Sequence, residues 1–150
     1  MSEQQPAFNI EKIYVRDLSL EIPHAPGIFL EREAPQVNLQ LNTRSDAVDT
    51  GLYEVQVVVT VTAKIKEKVM FLVEAHQAGI FRIQNVPEND LGPVLGIGCP
   101  NILFPYLRET ISDTVTRAGF PPVILNPVNF EMIYNQSQQR AQSGTAETKQ

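Results

Sequence analysis

Hydrophobic residues in the first half of the chain alternate with polar ones at a period of two, and in the second half they recur every third or fourth position. The alternation marks strands buried on one face. Over 8–22 the even positions read Phe8, Ile10, Lys12, Tyr14, Arg16, Leu18, Leu20 and Ile22, and the odd ones Asn9, Glu11, Ile13, Val15, Asp17, Ser19 and Glu21. The even set predicts the core face, with Asp17 and Glu21 turned away from it. A second strand sets Val37, Leu39 and Leu41 against Asn38, Gln40 and Asn42. A third sets Tyr53, Val55, Val57, Val59, Val61, Ala63 and Ile65 against Glu54, Gln56, Thr60 and Thr62. A fourth, over 68–81, carries Val69, Phe71, Val73 and Ala75 on its odd face and Leu72, Glu74 and His76 on its even face.

The connections select a topology. Strands two and three are joined by about ten residues ending in Asp49-Thr50-Gly51, and strands three and four by a tight turn at Lys66-Glu67. The stretch 23–36, with Pro23, Pro26, Gly27 and Pro35, is too long for a hairpin. It fits a Greek-key return that lays strand one beside strand four. The fold class is therefore α+β: a four-stranded antiparallel sheet with helices on one face and solvent on the other. Leu107, Ile111, Val115 and Ala118 give the stripe of a helix over about 101–118, stopped by Gly119 and Pro121-Pro122. Asn126-Pro127 reads as the cap and first residue of a second helix, with Phe130, Ile133 and Tyr134 as its apolar stripe. Residues 1–136 form a single domain, and the polar segment 137–150 is expected to be a disordered tail.

Composition narrows the chemistry. The 150 residues carry 12 Lys+Arg against 17 Asp+Glu, a net charge of -5, with no basic patch to bind nucleic acid. Lys64, Lys66 and Lys68 read as a solvated hairpin tip. The first residues lack the basic-then-apolar order of a secretory signal. The uncharged stretch 91–107 is broken by Pro93, Pro100, Pro105 and three glycines, so no membrane helix is expected from it. Cys99 is the single cysteine, and His24 and His76 are the two histidines, too few and too scattered for a zinc site. Cys99 reads as a structural or interface thiol rather than a nucleophile. Gly96-Ile97-Gly98 lacks the third glycine and the βαβ setting of a dinucleotide site. No cofactor is expected.

Seven segments, in order, resemble the SecB family of export chaperones: 8–14 with Asp17; Pro23-His24-Ala25-Pro26; Tyr53-Glu54-Val55; Thr60-Val61-Thr62-Ala63; Gly79-Ile80-Phe81; 99–106 with Arg108-Glu109; and Asn126-Pro127-Val128-Asn129-Phe130. The resemblance implies a cytoplasmic homotetramer, a dimer of dimers. It would hold precursor proteins unfolded without ATP and deliver them to the export motor SecA. Members carry their SecA-docking residues on the first and fourth strands, at positions matching Asp17, Glu21, Leu72 and Glu74. The parity of the strands puts all four on the solvated face, where an acidic surface suits a basic partner. Family members often carry a tryptophan in the long connection; this chain has Glu33-Ala34 there and no tryptophan.

Two further sets follow. Ile28, Phe29 and Leu30 are consecutive in a loop bracketed by Pro26-Gly27 and Glu31-Arg32-Glu33, so alternation cannot bury all three. They are expected to line part of the apolar groove for unfolded clients. The helix over 101–118 has few charges, and its weakly charged side suits a partner subunit. This places Leu107, Thr110, Ile111 and Thr114 in the expected tetramer interface. Two other readings stand beside the export chaperone. One is a SecB-like chaperone serving an antitoxin or other non-export client. The other is a small thioesterase-like enzyme, which would need a carboxylate or histidine in a pocket and a long helix between strands rather than after them.

Overall fold

The computed structural model describes residues 5–148, with side chains through residue 141. Four long strands, β1 (Ala7–Glu21), β2 (Gln36–Asp49), β3 (Leu52–Ile65) and β4 (Lys68–Gln84), form one antiparallel sheet in the order β1-β4-β3-β2. Strand one lies beside strand four, as the Greek-key argument requires. A single 3-10 turn (Gly27–Leu30) interrupts the β1–β2 connection. Val55, Val57, Val59, Val61 and Ala63 of β3 and Val73 and Ala75 of β4 are fully buried beneath the helices. Each buried valine contributes about 1.5–3 kcal/mol, so the two central strands carry the sheet's stability.

The outer strands depart from simple alternation. β1 bulges twice against β4, between Ile10 and Lys12 and again between Val15 and Asp17. Each bulge adds one unpaired residue and reverses which parity faces the core. Phe8, Ile10, Leu18 and Leu20 therefore face the helices as expected. Between the bulges it is Ile13 and Val15 that do so, opposite Gly79 and Gln77, while Lys12 and Tyr14 turn outward. Tyr14 and Arg16 both reach Glu54 on the outer face. At the other end of β4, Met70 is the extra residue opposite Ala63 and Lys64. It takes the buried place expected for Val69, which pairs with Lys64 on the outer face. β2 also runs on to Asp49, so Thr50-Gly51 alone turn into β3 instead of a ten-residue loop. Its polar half, Arg44, Ser45 and Asp46, is held by pairing with Gln56, Val55 and Glu54.

After β4 the chain becomes helical at once: α1 (Glu88–Pro93), a π turn (Val94–Gly98) and α2 (Cys99–Arg117) follow without a break. The prolines and glycines of 91–107 do not interrupt it. The Cys99 N–H bonds to the Val94 carbonyl, the wide spacing of a π turn. Pro100 sits in the first turn of α2. Pro105 removes one hydrogen bond, yet Leu103, Phe104, Leu107, Ile111 and Val115 bury a continuous stripe against the sheet, and that packing holds the helix. Gln77, buried on the core face of β4, donates to the Tyr14 carbonyl (3.3 Å) and accepts from the Thr110 hydroxyl (3.0 Å). It fastens α2 to β1 beside the second bulge, and both ends of its amide are satisfied.

α3 (Phe130–Thr148) is capped by Asn129, whose Oδ1 accepts from the Met132 N–H at 3.0 Å, rather than by Asn126. Its Tyr134 lies in a slot opened by Gly92 and Gly96, where a Cβ at either position would come within 2.4 Å of the ring or hydroxyl. The helix continues through Thr148 and so enters the segment 137–150 expected as a disordered tail. That segment holds Gln, Arg, Ala and Glu, all good helix formers. Positions 149 and 150 lie outside the described residues.

Candidate functional site

The outer face of the sheet gathers Asp17, Glu21, Leu72 and Glu74. Across the β1–β4 ladder Glu21 opposes Leu72, Ser19 opposes Glu74 and Asp17 opposes His76. The second bulge makes this arrangement possible, because it returns Asp17 and Glu21 to the face that Lys12 and Tyr14 already occupy. With about 3.3 Å per residue along a strand, Asp17 and Glu21 stand about 13 Å apart, and Leu72 and Glu74 lie on the neighbouring strand. Both β1 carboxylates are exposed, and Leu72 is half-buried.

Glu74 is more tightly held than the other two acids. The His76 Nε2 lies 2.9 Å from its Oε2, and the Thr60 hydroxyl donates to its Oε1 at 3.2 Å. These two bonds, the histidine first, hold its carboxyl below the usual range, so it presents a charge in a fixed orientation. Farther along the same face Tyr14 and Arg16 converge on Glu54. There burial first, then Glu54, pushes the tyrosine up to about 12. Arg82 and Glu11 pair at 2.7 Å. Glu54 and Glu11 are thus each paired with an arginine, whereas among the described residues Asp17, Glu21 and Glu74 have no Arg or Lys ion pair.

An apolar groove of about 470 Å³ opens on the opposite, helix-bearing side. Its aromatic floor is built from three separate stretches. Phe29 stacks on Phe120 with centroids 5.0 Å apart and planes at 19°, and Phe71 of β4 meets Phe120 at 5.0 Å and 37°. Met70, Pro121, Pro122, Val123 and Val37 form much of the walls, with Pro35 and the carboxylates of Glu31 and Glu33 at the rim. Gly119 makes this closeness possible. Its φ of +94° ends α2 with the Phe120 N–H bonded back to the Val115 carbonyl, and a Cβ there would stand 3.1 Å from the Phe29 ring. The groove runs beside β2, whose outer edge is unpaired within the chain. An extended peptide lying in it would find both apolar side-chain contacts and free main-chain partners.

The three expected groove residues have different fates. Ile28 is 2% exposed and belongs to the core while its edge contributes to the groove lining, Phe29 is 47% exposed and lines the groove, and Leu30, at 83%, stands outside it. The residues missed, Met70, Phe71 and Phe120 to Val123, left one signal in the sequence. An aromatic and a valine flank two prolines just where a helix must stop, a place where burial by periodicity is unavailable. Within this chain the expected interface residues of α2 turn toward its own core. Leu107, Ile111 and Thr114 are buried against the chain's own sheet, and Thr110 is bonded to Gln77. The outward surface of α2 is instead Asn101, Pro105, Tyr106, Glu109, Asp113 and Thr116, with exposed Ile124 beside it. Arg108 anchors that neighbouring segment by donating to the Leu125 carbonyl at 2.8 Å while its guanidinium lies 5.0 Å over the Phe104 ring.

Cys99 is fully buried and burial pushes its thiol up to about 12, so it is neither ionised nor reachable as a nucleophile. Among the described residues no group of three His, Cys, Asp or Glu side chains could hold a metal ion, and no helix is long and apolar enough to cross a membrane.

Residues 1–141 match a family model described as SecB, preprotein translocase subunit. The chain is 72% identical over 141 residues, covering 93% of it and 88% of the relative, to the protein-export protein SecB of Nitrosomonas eutropha. It is 58% identical to that of Neisseria gonorrhoeae over 96% of the chain and 99% of the relative. Among solved structures it is similar to a SecB-like chaperone of Mycobacterium tuberculosis in complex with a ChAD peptide from an antitoxin. The TM-score is 0.66, the identity 18%, and the match covers 81% of this chain and 90% of the other.

Proposed function

This chain belongs to the SecB family and is a protein-export chaperone rather than an enzyme, and we propose that it grips unfolded precursors on one side of its sheet and docks SecA on the other. The observation that carries this reading is the division of the sheet. An aromatic groove beside an unpaired strand edge lies on the helix side, and an acidic cluster around a half-buried leucine lies on the outer side. The groove supplies burial and backbone partners, which accept many sequences. The outer cluster supplies charge for steering a cationic segment and Leu72 for an apolar contact. No step in this scheme calls for ATP or a cofactor.

The working form is a cytoplasmic homotetramer, a dimer of dimers. It is supported by the outward surface of α2 and by Phe8, Ile10, Val15, Leu18 and Leu20 of β1, large apolar residues left part-exposed on the helix side of an edge strand. A chaperone for an antitoxin would share the fold, but that likeness stands at 18% identity, against 72% for an export relative. The test is reconstitution with purified SecA and an unfolded precursor. A ternary complex is expected with the wild-type chain. Glu74→Lys should lose SecA while still slowing precursor aggregation, and full SecA affinity in that variant would remove Glu74 from the docking face.

A further inference from the structure

We propose that His76 is a fifth member of the docking face, where its imidazole sets the charge offered to a cationic partner and so makes docking depend on pH. The inference rests on reading the outer acidic cluster as that docking face. His76 stands between two of its carboxylates. It lies directly across the β1–β4 ladder from Asp17, and its Nε2 is 2.9 Å from the Glu74 Oε2. Its side chain is 19% exposed, against 45% for Glu74.

The tautomer follows from the pairing. An ionised carboxylate only accepts, so Nε2 carries hydrogen and donates whether the ring is neutral or cationic. Nδ1 is then the atom that gains or loses the titrating proton. The charged and titratable groups around it are few. β1 offers Asp17 and, beyond it, Arg16 and Tyr14, both engaged by Glu54. β3 offers Val58 directly opposite, with Gln56 and Thr60 on either side, all uncharged. On β4 itself the neighbour is Glu74. The helices pack on the other face of the sheet.

With Nδ1 bare, the imidazole is a neutral donor that orients Glu74, and Asp17, Glu21 and Glu74 all present negative charge. With Nδ1 protonated, a positive charge stands beside two of those three. The attraction for a cationic segment falls. By linkage, a partner that prefers the neutral ring must expel the proton when it docks. Docking therefore tightens when Nδ1 loses its proton and weakens when it gains one.

The experiment measures the affinity of the full-length protein for purified SecA at about pH 6 and about pH 8. Wild type is expected to bind roughly three- to tenfold more weakly at the lower pH. His76→Gln keeps a donor for Glu74 but no titrating proton, and should vary less than about twofold over the same interval. SecA's own titrations enter both measurements equally, so the comparison of slopes isolates His76. His76→Asn is the second variant should the first fail to fold, with the same flattening expected. Equal slopes in wild type and variant overturn the proposal. Asp17→Asn with Glu21→Gln separates the two levels. If that pair weakens docking while the slopes stay equal, His76 has no such role and the docking face stands. If the pair leaves docking unchanged, both readings fall.

Discussion

Ile28 and Phe29 are neighbours in sequence with opposite environments, the first sealed in the core and the second stacked at the mouth of the groove. Truncation should separate them. Ile28→Ala removes a buried side chain and is expected to cost about 2–5 kcal/mol in urea unfolding. Phe29→Ala removes a half-exposed ring, so the loss should be nearer 1 kcal/mol, while the chain's capacity to delay client aggregation drops severalfold. Equal stability losses, with that capacity intact, would move Phe29 from the groove to the core. Tyr14 makes a different kind of prediction. Folding raises its phenol from the ordinary 10.0 to about 12, so the fold favours the neutral form. Its contribution is whole below pH 10.0 and is lost as pH climbs from there to about 12. Tyr14→Phe should lower stability at neutral pH, where the hydroxyl's bond to Glu54 is lost, and flatten it over that alkaline interval. Identical alkaline profiles for both proteins would contradict the assignment.

At the level of elements, the central strands and the core stripe of α2 were legible because each is a single unbroken period. Val55 to Ala63 and Leu107 to Val115 each face one way throughout. β1 was not, because a bulge changes phase without changing composition. Its trace was still present: Lys12 and Arg16 fell on the supposed core face while Ile13 and Val15 fell on the supposed solvent face. The end that carries Asp17 and Glu21 was nonetheless read correctly, because two reversals cancel. The far half of β2 is polar and is held by its partner rather than by its own pattern. The groove was half-legible because Phe29, Phe71 and Phe120 meet only in three dimensions. The bulges also yield a prediction. Deleting Arg16 alone removes the extra residue of its bulge, so Asp17 follows Val15 directly and regular alternation keeps Leu18 and Leu20 toward the helices and Asp17 and Glu21 on the outer face; SecA docking should survive. Deleting both Glu11 and Arg16 leaves every remaining β1 side chain on its present face. That double deletion should dock SecA within about threefold of wild type, since only exposed ion pairs are sacrificed. Loss of docking on either the single or the double deletion, in a folded protein, would refute the phase argument.

For the molecule as a whole, part-exposed apolar residues on both edge strands and the outward surface of α2 leave more apolar area uncovered than a lone chain of this size needs. Sedimentation at micromolar concentration is expected to give a single species of four chains, and a stable monomer would contradict it. The sheet itself has a further consequence. Phe71 lines the groove and Leu72 belongs to the acidic face, so residues one peptide bond apart look to opposite sides of the sheet. If these are the client and motor sites proposed above, the two do not compete for the same ground, and the order in which they arrive is immaterial. A saturating load of precursor should leave SecA affinity unaltered. On that proposal SecA would not dislodge the client by taking its place; the chaperone would supply the handle rather than the force.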